Sequence, residues 1–186
     1  MKADGAAKGV PFDNLLLRAD LRLVSGSGKS KATIGNPKPK FSTHSFGCHF
    51  VEVTWQPEIA RLRVSRVVPV MDPGRIINPL AGRNQIVGAV VMGIGMALLE
   101  HTTYDPQNVA PINSNLADYV MAVNADVPPI DVRFVDFPDK EMNELGARGI
   151  GELGLTGVAA AITSALHRAT GVRGRELPVK IENLLA

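Results

Sequence analysis

The chain has 186 residues, 45% of them hydrophobic and 20% charged, with a mean hydropathy of +0.08; this excludes disorder and suits one substantial core burying about 70% of the extended-chain surface. Gly (18) and Pro (13) together exceed the ordinary share of about 12% but fall short of the roughly 25–30% of low-complexity chains, so many turns are expected. The net charge is +2, yet eight Lys/Arg against three Asp place +5 in residues 1–40 and leave −3 for the remainder; no aromatics interleave with these lysines, which argues for a solvated linker rather than a nucleic-acid site.

Residues 12–23 alternate apolar groups with Arg18 and Asp20 and predict a short helix running into a strand at residues 21–24. Residues 25–40 (SGSGKSKATIGNPKPK) are flexible by composition, dividing an N-terminal segment, 1–40, from a structured body, 41–186. The opening MKADGAAKGV lacks an apolar run of signal-peptide length, so nothing directs export and a cytoplasmic location is expected.

From Phe46 the apolar residues recur every second position, and residues 59–68 alternate with arginines, predicting a β-hairpin across Gln56-Pro57-Glu58 with one wet face. Asp72-Pro73-Gly74 ends the second strand. Asn78 is a capping residue followed by Pro79 at the first helical position, and the pattern predicts one helix to about Glu100. Within it residues 86–99 are uninterruptedly apolar, shorter than the roughly 18–20 residues that span a bilayer, so a buried helix and no membrane contact are expected. The helix carries Gly82, Gly88, Gly93 and Gly95. Each costs about 1 kcal/mol against Ala, which implies close approach of another backbone or of a ligand. Residues 106–129 are irregular, residues 130–137 alternate as a third strand, and residues 138–148 form a polar loop. Thr156 is positioned to cap a helix over residues 157–170 that Gly171 closes, and a short helix near Glu182 follows. Strands and helices are segregated, so the fold class is α+β.

Gly149, Gly151 and Gly154 spell G-x-G-x-x-G before a helix. The dinucleotide fingerprint needs a buried strand directly before the first glycine, but a charged segment stands there, and no second strand carries Glu176 as a ribose acid. Glu152 offers another reading: a carboxylate flanked by glycines, at a helix start with free N–H groups, suits a general base beside an anionic ligand. A solvated turn with an idle glutamate is the plain alternative.

The string LGARGIGELGLTGVAAAI beginning at Leu145, with ATGVR from Ala169 and LPV from Leu177, closely resembles the C-terminal end of the molybdenum-binding (molybdopterin) subunit of the xanthine dehydrogenase and aldehyde oxidase family. So do VMDPGRIINP from Val70, QIVG from Gln85 and MGIGMAL from Met92. The likeness runs from about Phe41 to the end and more loosely back to Pro11. It implies that Glu152 is the active-site base beside molybdenum, taking a proton as oxygen attacks an electron-poor carbon of an aldehyde or N-heterocycle while hydride passes to the metal centre. It implies further that Gly149 and Gly151 let the backbone pass close to the cofactor, and that Gln85 and Gly88 lie near the pterin. No metal ligand from this chain is implied.

Molybdenum subunits of that family are several times longer, so the chain reads as a fragment, a split product or a truncated piece. Molybdenum-molybdopterin is expected in the complete assembly and none in the isolated chain. The expected partners are the upstream part of the subunit or a companion chain, together with iron–sulfur and flavin subunits. A non-catalytic remnant that keeps the fold without the cofactor is the alternative function, and a nucleotide-binding protein a distant third. Among single residues, His44, His49, His101 and His167 lack metal-ligand spacing and read as hydrogen-bonded histidines; Cys48 cannot form an internal disulfide. Arg75 and Arg83 fit a pterin phosphate or a salt bridge to Asp72 or Glu100. Arg148 fits either tuning of Glu152 or solvation of its loop, and Met92 and Met96 read as core packing.

Overall fold

The structure, a computed structural model, describes residues 9–29, 41, 42 and 44–185. The chain divides into two compact units, residues 1–39 and 40–186. In the first, α1 (Phe12–Arg18) places Asp13 in its first turn and Arg18 in its last, matching charge to the helix dipole. The strand expected at residues 21–24 does not form. A strand must satisfy its N–H and C=O groups on a neighbour, and no described residue pairs with this stretch. Most of the expected linker, residues 30–40, lies outside the described residues.

The second unit is built on the hairpin the alternation predicts. Strand β1 (Phe46–Gln56) pairs antiparallel with β2 (Arg61–Asp72), from Phe46 opposite Asp72 to Gln56 opposite Arg61. They are joined by a 3-10 turn over Pro57–Ile59 and by Ala60 in the left-handed region. The register slips between Glu52 and Val53, where Ser65 is the extra residue on β2. This bulge exchanges the faces of β2: Val64 is buried on one side of it and Val67, Pro69 and Met71 on the other, so both halves reach the core.

The third strand is much shorter than residues 130–137. After an isolated Val67–Ile130 bridge, β3 (Arg133–Phe134) pairs parallel with Val70 and Met71. Pro69 has no N–H to give to a ladder, and it sits between these two contacts. The resulting three-stranded sheet has the order β1-β2-β3.

Two helices cover one face. Helix α2 (Pro79–Leu98) starts as expected, Asn78 Oδ1 accepting the Ala81 N–H at 3.0 Å, and packs on β2. Helix α3 (Val158–Thr170) packs on β1 and α2, and Gly171 closes it in the left-handed conformation. Its N-cap is Gly157, not Thr156, whose hydroxyl donates to the Leu153 carbonyl instead. Residues 151–157 coil in short turns, so the α-helix begins later than the capping pattern implies. Val67, Met71, Ile86, Val90, Val158 and Ile162 form the centre of the core. Among the described residues no helix is long and apolar enough to cross a membrane.

α2 is not buried all round. Ile86, Ala89, Val90, Gly93, Ile94 and Ala97 face the core, while Met92 and Met96 are exposed, contrary to the core packing expected of them. A continuous apolar run hides which face turns inward, because every position has the same hydropathy.

Candidate functional site

The loop bearing Glu152 is tied down on both sides. Upstream, Gly74 bridges Ala147, Arg148 N–H donates to the Pro73 carbonyl at 2.7 Å, and Arg75 N–H donates to the Gly146 carbonyl at 2.8 Å. The Ser45 hydroxyl donates to the Gly149 carbonyl. Downstream, the turn presses on α2: a Cβ at Gly154 would meet Ala89 Cβ at 2.9 Å and Ile86 Cδ1 at 3.1 Å, and Ile150 lies against Gly82. The segment from Gly149 to Gly154 therefore runs along the turns of α2 that carry Gln85 and Gly88.

Between these ties the chain is open. Glu152, Gly149, Gly151, Gln85 and Gly88 are all exposed, and a Cβ built at Gly88, Gly149 or Gly151 meets nothing within 4 Å. The N–H groups of Gly149, Ile150, Gly151 and Glu152 have no hydrogen-bond partner among the described residues. Free donors beside side-chain-free positions and one carboxamide, Gln85, suit an oxygen-rich anionic group such as a pterin phosphate. Among the described residues no group of three or more His, Cys, Asp or Glu side chains could hold a metal ion.

The charged residues nearby differ from expectation. Arg148 neither reaches Glu152 nor solvates the loop: its side chain is 10% exposed, with Nη2 on Asp72 Oδ1 at 2.7 Å and on the Asp72 carbonyl at 3.1 Å, and Nη1 on Asp139 Oδ2 at 2.9 Å. The guanidinium lies over the Phe46 ring, 5.6 Å from its centroid. Since Asp72 is committed to Arg148, Arg75 and Arg83 remain exposed and pair with no carboxylate among the described residues. Glu100 instead accepts the Tyr119 hydroxyl at 3.0 Å, and this hydrogen bond, then burial, raises the phenol's pKa. His49 is not an ordinary hydrogen-bonded histidine, for its buried Nδ1 lacks a partner among the described residues and burial lowers its pKa. The ion-paired cluster was invisible in sequence because Arg148 and Asp72 stand 76 positions apart.

The sequence profile of the molybdopterin cofactor-binding domain matches residues 5–128. The chain belongs to that family. This molybdopterin-binding domain is 39% identical over 151 residues to the aldehyde oxidoreductase molybdenum-binding subunit PaoC of Escherichia coli K12, covering 81% of the chain and 21% of that subunit. It is 36% identical over 140 residues to a xanthine dehydrogenase molybdenum-binding subunit of Escherichia coli O157:H7, covering 75% of the chain and 18% of the relative. Among solved structures, the aldehyde oxidoreductase of Desulfovibrio desulfuricans superposes with a TM-score of 0.63 at 32% identity, over 73% of the chain and 14% of that protein. A CO dehydrogenase from Oligotropha carboxidovorans shares the fold, with a TM-score of 0.70 at 19% identity over 79% of the chain and 18% of that protein. The chain spans about a fifth of the length of the curated relatives it matches. The family match reaches upstream of Pro11, further than the motifs alone indicate, and it stops short of Glu152.

Proposed function

We propose that this domain completes the active site of a molybdenum hydroxylase acting on an aldehyde or N-heterocycle, with Glu152 as the general base. The observation that carries the reading is the open segment of residues 149–152: free N–H donors, two positions without side chains and one exposed carboxylate, lying along the turns of α2 that hold Gln85 and Gly88. The Gln85 amide and the free N–H groups of residues 149–152 would hold acceptor atoms of molybdenum-molybdopterin, and Gly88 would leave room for it. When bound, that group supplies the redox centre for a two-electron oxidation. Glu152 holds a carboxylate oxygen ready to accept the proton released as oxygen adds to the substrate carbon. The remaining parts of the site come from the upstream part of the subunit or a companion chain. One relative is named as a subunit of a dehydrogenase complex, which supports companion subunits here; the iron–sulfur and flavin subunits are part of the proposal.

The test is Glu152→Gln in the molybdenum-replete assembly. The amide keeps the volume but accepts no proton, so turnover should fall about 10²–10⁴-fold, the range for losing a general base. Stability should shift by no more than about 0.5–1 kcal/mol, because the residue is exposed and pairs with no side chain among the described residues. Near-normal turnover removes Glu152 from the mechanism and favours the non-catalytic reading.

A further inference from the structure

We infer that Arg148 is a positioning residue: by gripping Asp72 at the end of β2 and Asp139 at the start of the following loop, it sets where the Glu152 turn stands. The inference rests on the reading of Glu152 as the base. Arg148, the distant Asp72 and Asp139 of its own loop meet here at 10%, 6% and 16% exposure, with ion-pair distances of 2.7 and 2.9 Å. Asp72 is used twice, since its Oδ1 also accepts the Gly74 N–H at 2.9 Å, fixing the turn that leaves β2. The backbone repeats the link, for Arg148 N–H bonds to Pro73 and both Arg75 and Asp139 N–H bond to the Gly146 carbonyl.

The position of this cluster is what gives it a role beyond stability. From residue 149 to residue 152 the chain has no N–H bond of its own to the described protein, and the next protected amide is Leu153, bonded to the Ile150 carbonyl at 3.3 Å. The carboxylate stands four residues beyond Arg148, and Arg148 fixes the upstream end of a segment that is otherwise held by the Ser45 hydroxyl on the Gly149 carbonyl and by the packing of Ile150 and Gly154 on α2. A buried ion-paired cluster is often no more stabilising than an apolar replacement of equal volume, so its contribution is sought in the geometry it imposes. The fork of an arginine can hold two carboxylates at fixed angles, which a lysine ammonium cannot.

Hydrogen exchange on the full chain, read at the amides of Arg75, Asp139, Arg148 and Leu153, tests this in Arg148→Met, Arg148→Lys and Asp139→Asn. Arg148→Met should accelerate exchange at these four amides at least about tenfold while the amides of α2 and α3 keep their protection. Arg148→Lys should recover part of it. Unchanged exchange at Leu153 overturns the inference. If Arg148→Met speeds exchange uniformly or fails to fold, Asp139→Asn decides, since it removes one arm only: local acceleration upholds the inference, and uniform or no acceleration overturns it. In the molybdenum-replete assembly, Arg148→Lys should lower kcat with KM and melting temperature little changed; a loss of turnover only in step with melting temperature overturns the positioning role. Normal turnover in Glu152→Gln would remove the base reading while leaving the exchange result to stand on its own.

Discussion

His49 is a half-buried ionisable group whose charged form its surroundings disfavour. Its ring lies against Gly157, where a Cβ would meet Cδ2 at 2.6 Å, and its Nδ1 has no partner among the described residues. Burial lowers its pKa from 6.5, so protonation favours the unfolded chain. The sign follows from linkage: this contribution to stability is complete above pH 6.5 and is lost as the pH falls below it towards the depressed folded value. Denaturant unfolding between pH 8 and pH 5 should show that loss in the wild type, and His49→Gln should abolish it. An identical pH dependence in the two proteins would mean that His49 is not its source. At Glu152 the opposite pattern is expected, because an exposed carboxylate with no protein partner can be replaced without touching the fold, so chemistry alone should respond.

The glycines of α2 divide at the scale of the element. A Cβ at Gly93 would stand 2.5 Å from Val158 Cβ, so this glycine is what lets α3 come so close. Gly88, one and a half turns earlier, faces open space. Gly93→Ala should therefore cost about 1–3 kcal/mol through overpacking, the Val158 side chain being fully buried and branched at the colliding atom. Gly88→Ala should stabilise the isolated chain by about 0.5–1 kcal/mol, since only the helix-interior penalty of glycine is removed. Melting temperatures of the two variants test both signs; two equal destabilisations would mean that Gly88 also faces a packed neighbour. The expectation that the glycines mark close approach thus holds for Gly93 within the chain, and for Gly88 it awaits an external group.

For the whole molecule the exposed apolar residues set the behaviour. Met92 and Met96 line one side of α2, and Phe46 and Phe50 stand on the outer face and edge of β1, 61% and 60% exposed. The Met92–Met96 side of α2 is apolar surface of a kind that a partner usually covers. The isolated chain should self-associate as its concentration rises, with light scattering reporting a growing mean mass; a single monomeric species at high concentration would contradict this. Because the chain covers about a fifth of its relatives, it should also turn over no aldehyde or purine with an artificial electron acceptor. Turnover by the pure chain would refute that expectation.

Local chemistry made much of this protein legible in its sequence. The two-residue alternation of the hairpin, the Asn78-Pro79 start of α2 and the Gly171 stop of α3 depend on interactions within a few residues, and all three stand in the structure. Ordered motifs carried the family for the same reason, since they are read along the chain. Thr156 failed as a cap because its hydroxyl had a competing carbonyl at Leu153, and the third strand was cut short by Pro69 on its neighbour. The inward face of α2, the exposure of Met92 and Met96, and the Asp72–Arg148–Asp139 cluster were decided only by tertiary structure. Each depends on which distant surface arrives at a residue, and neither periodicity nor spacing encodes that when hydropathy is uniform along a helix or when the partners of an ion pair lie 76 residues apart.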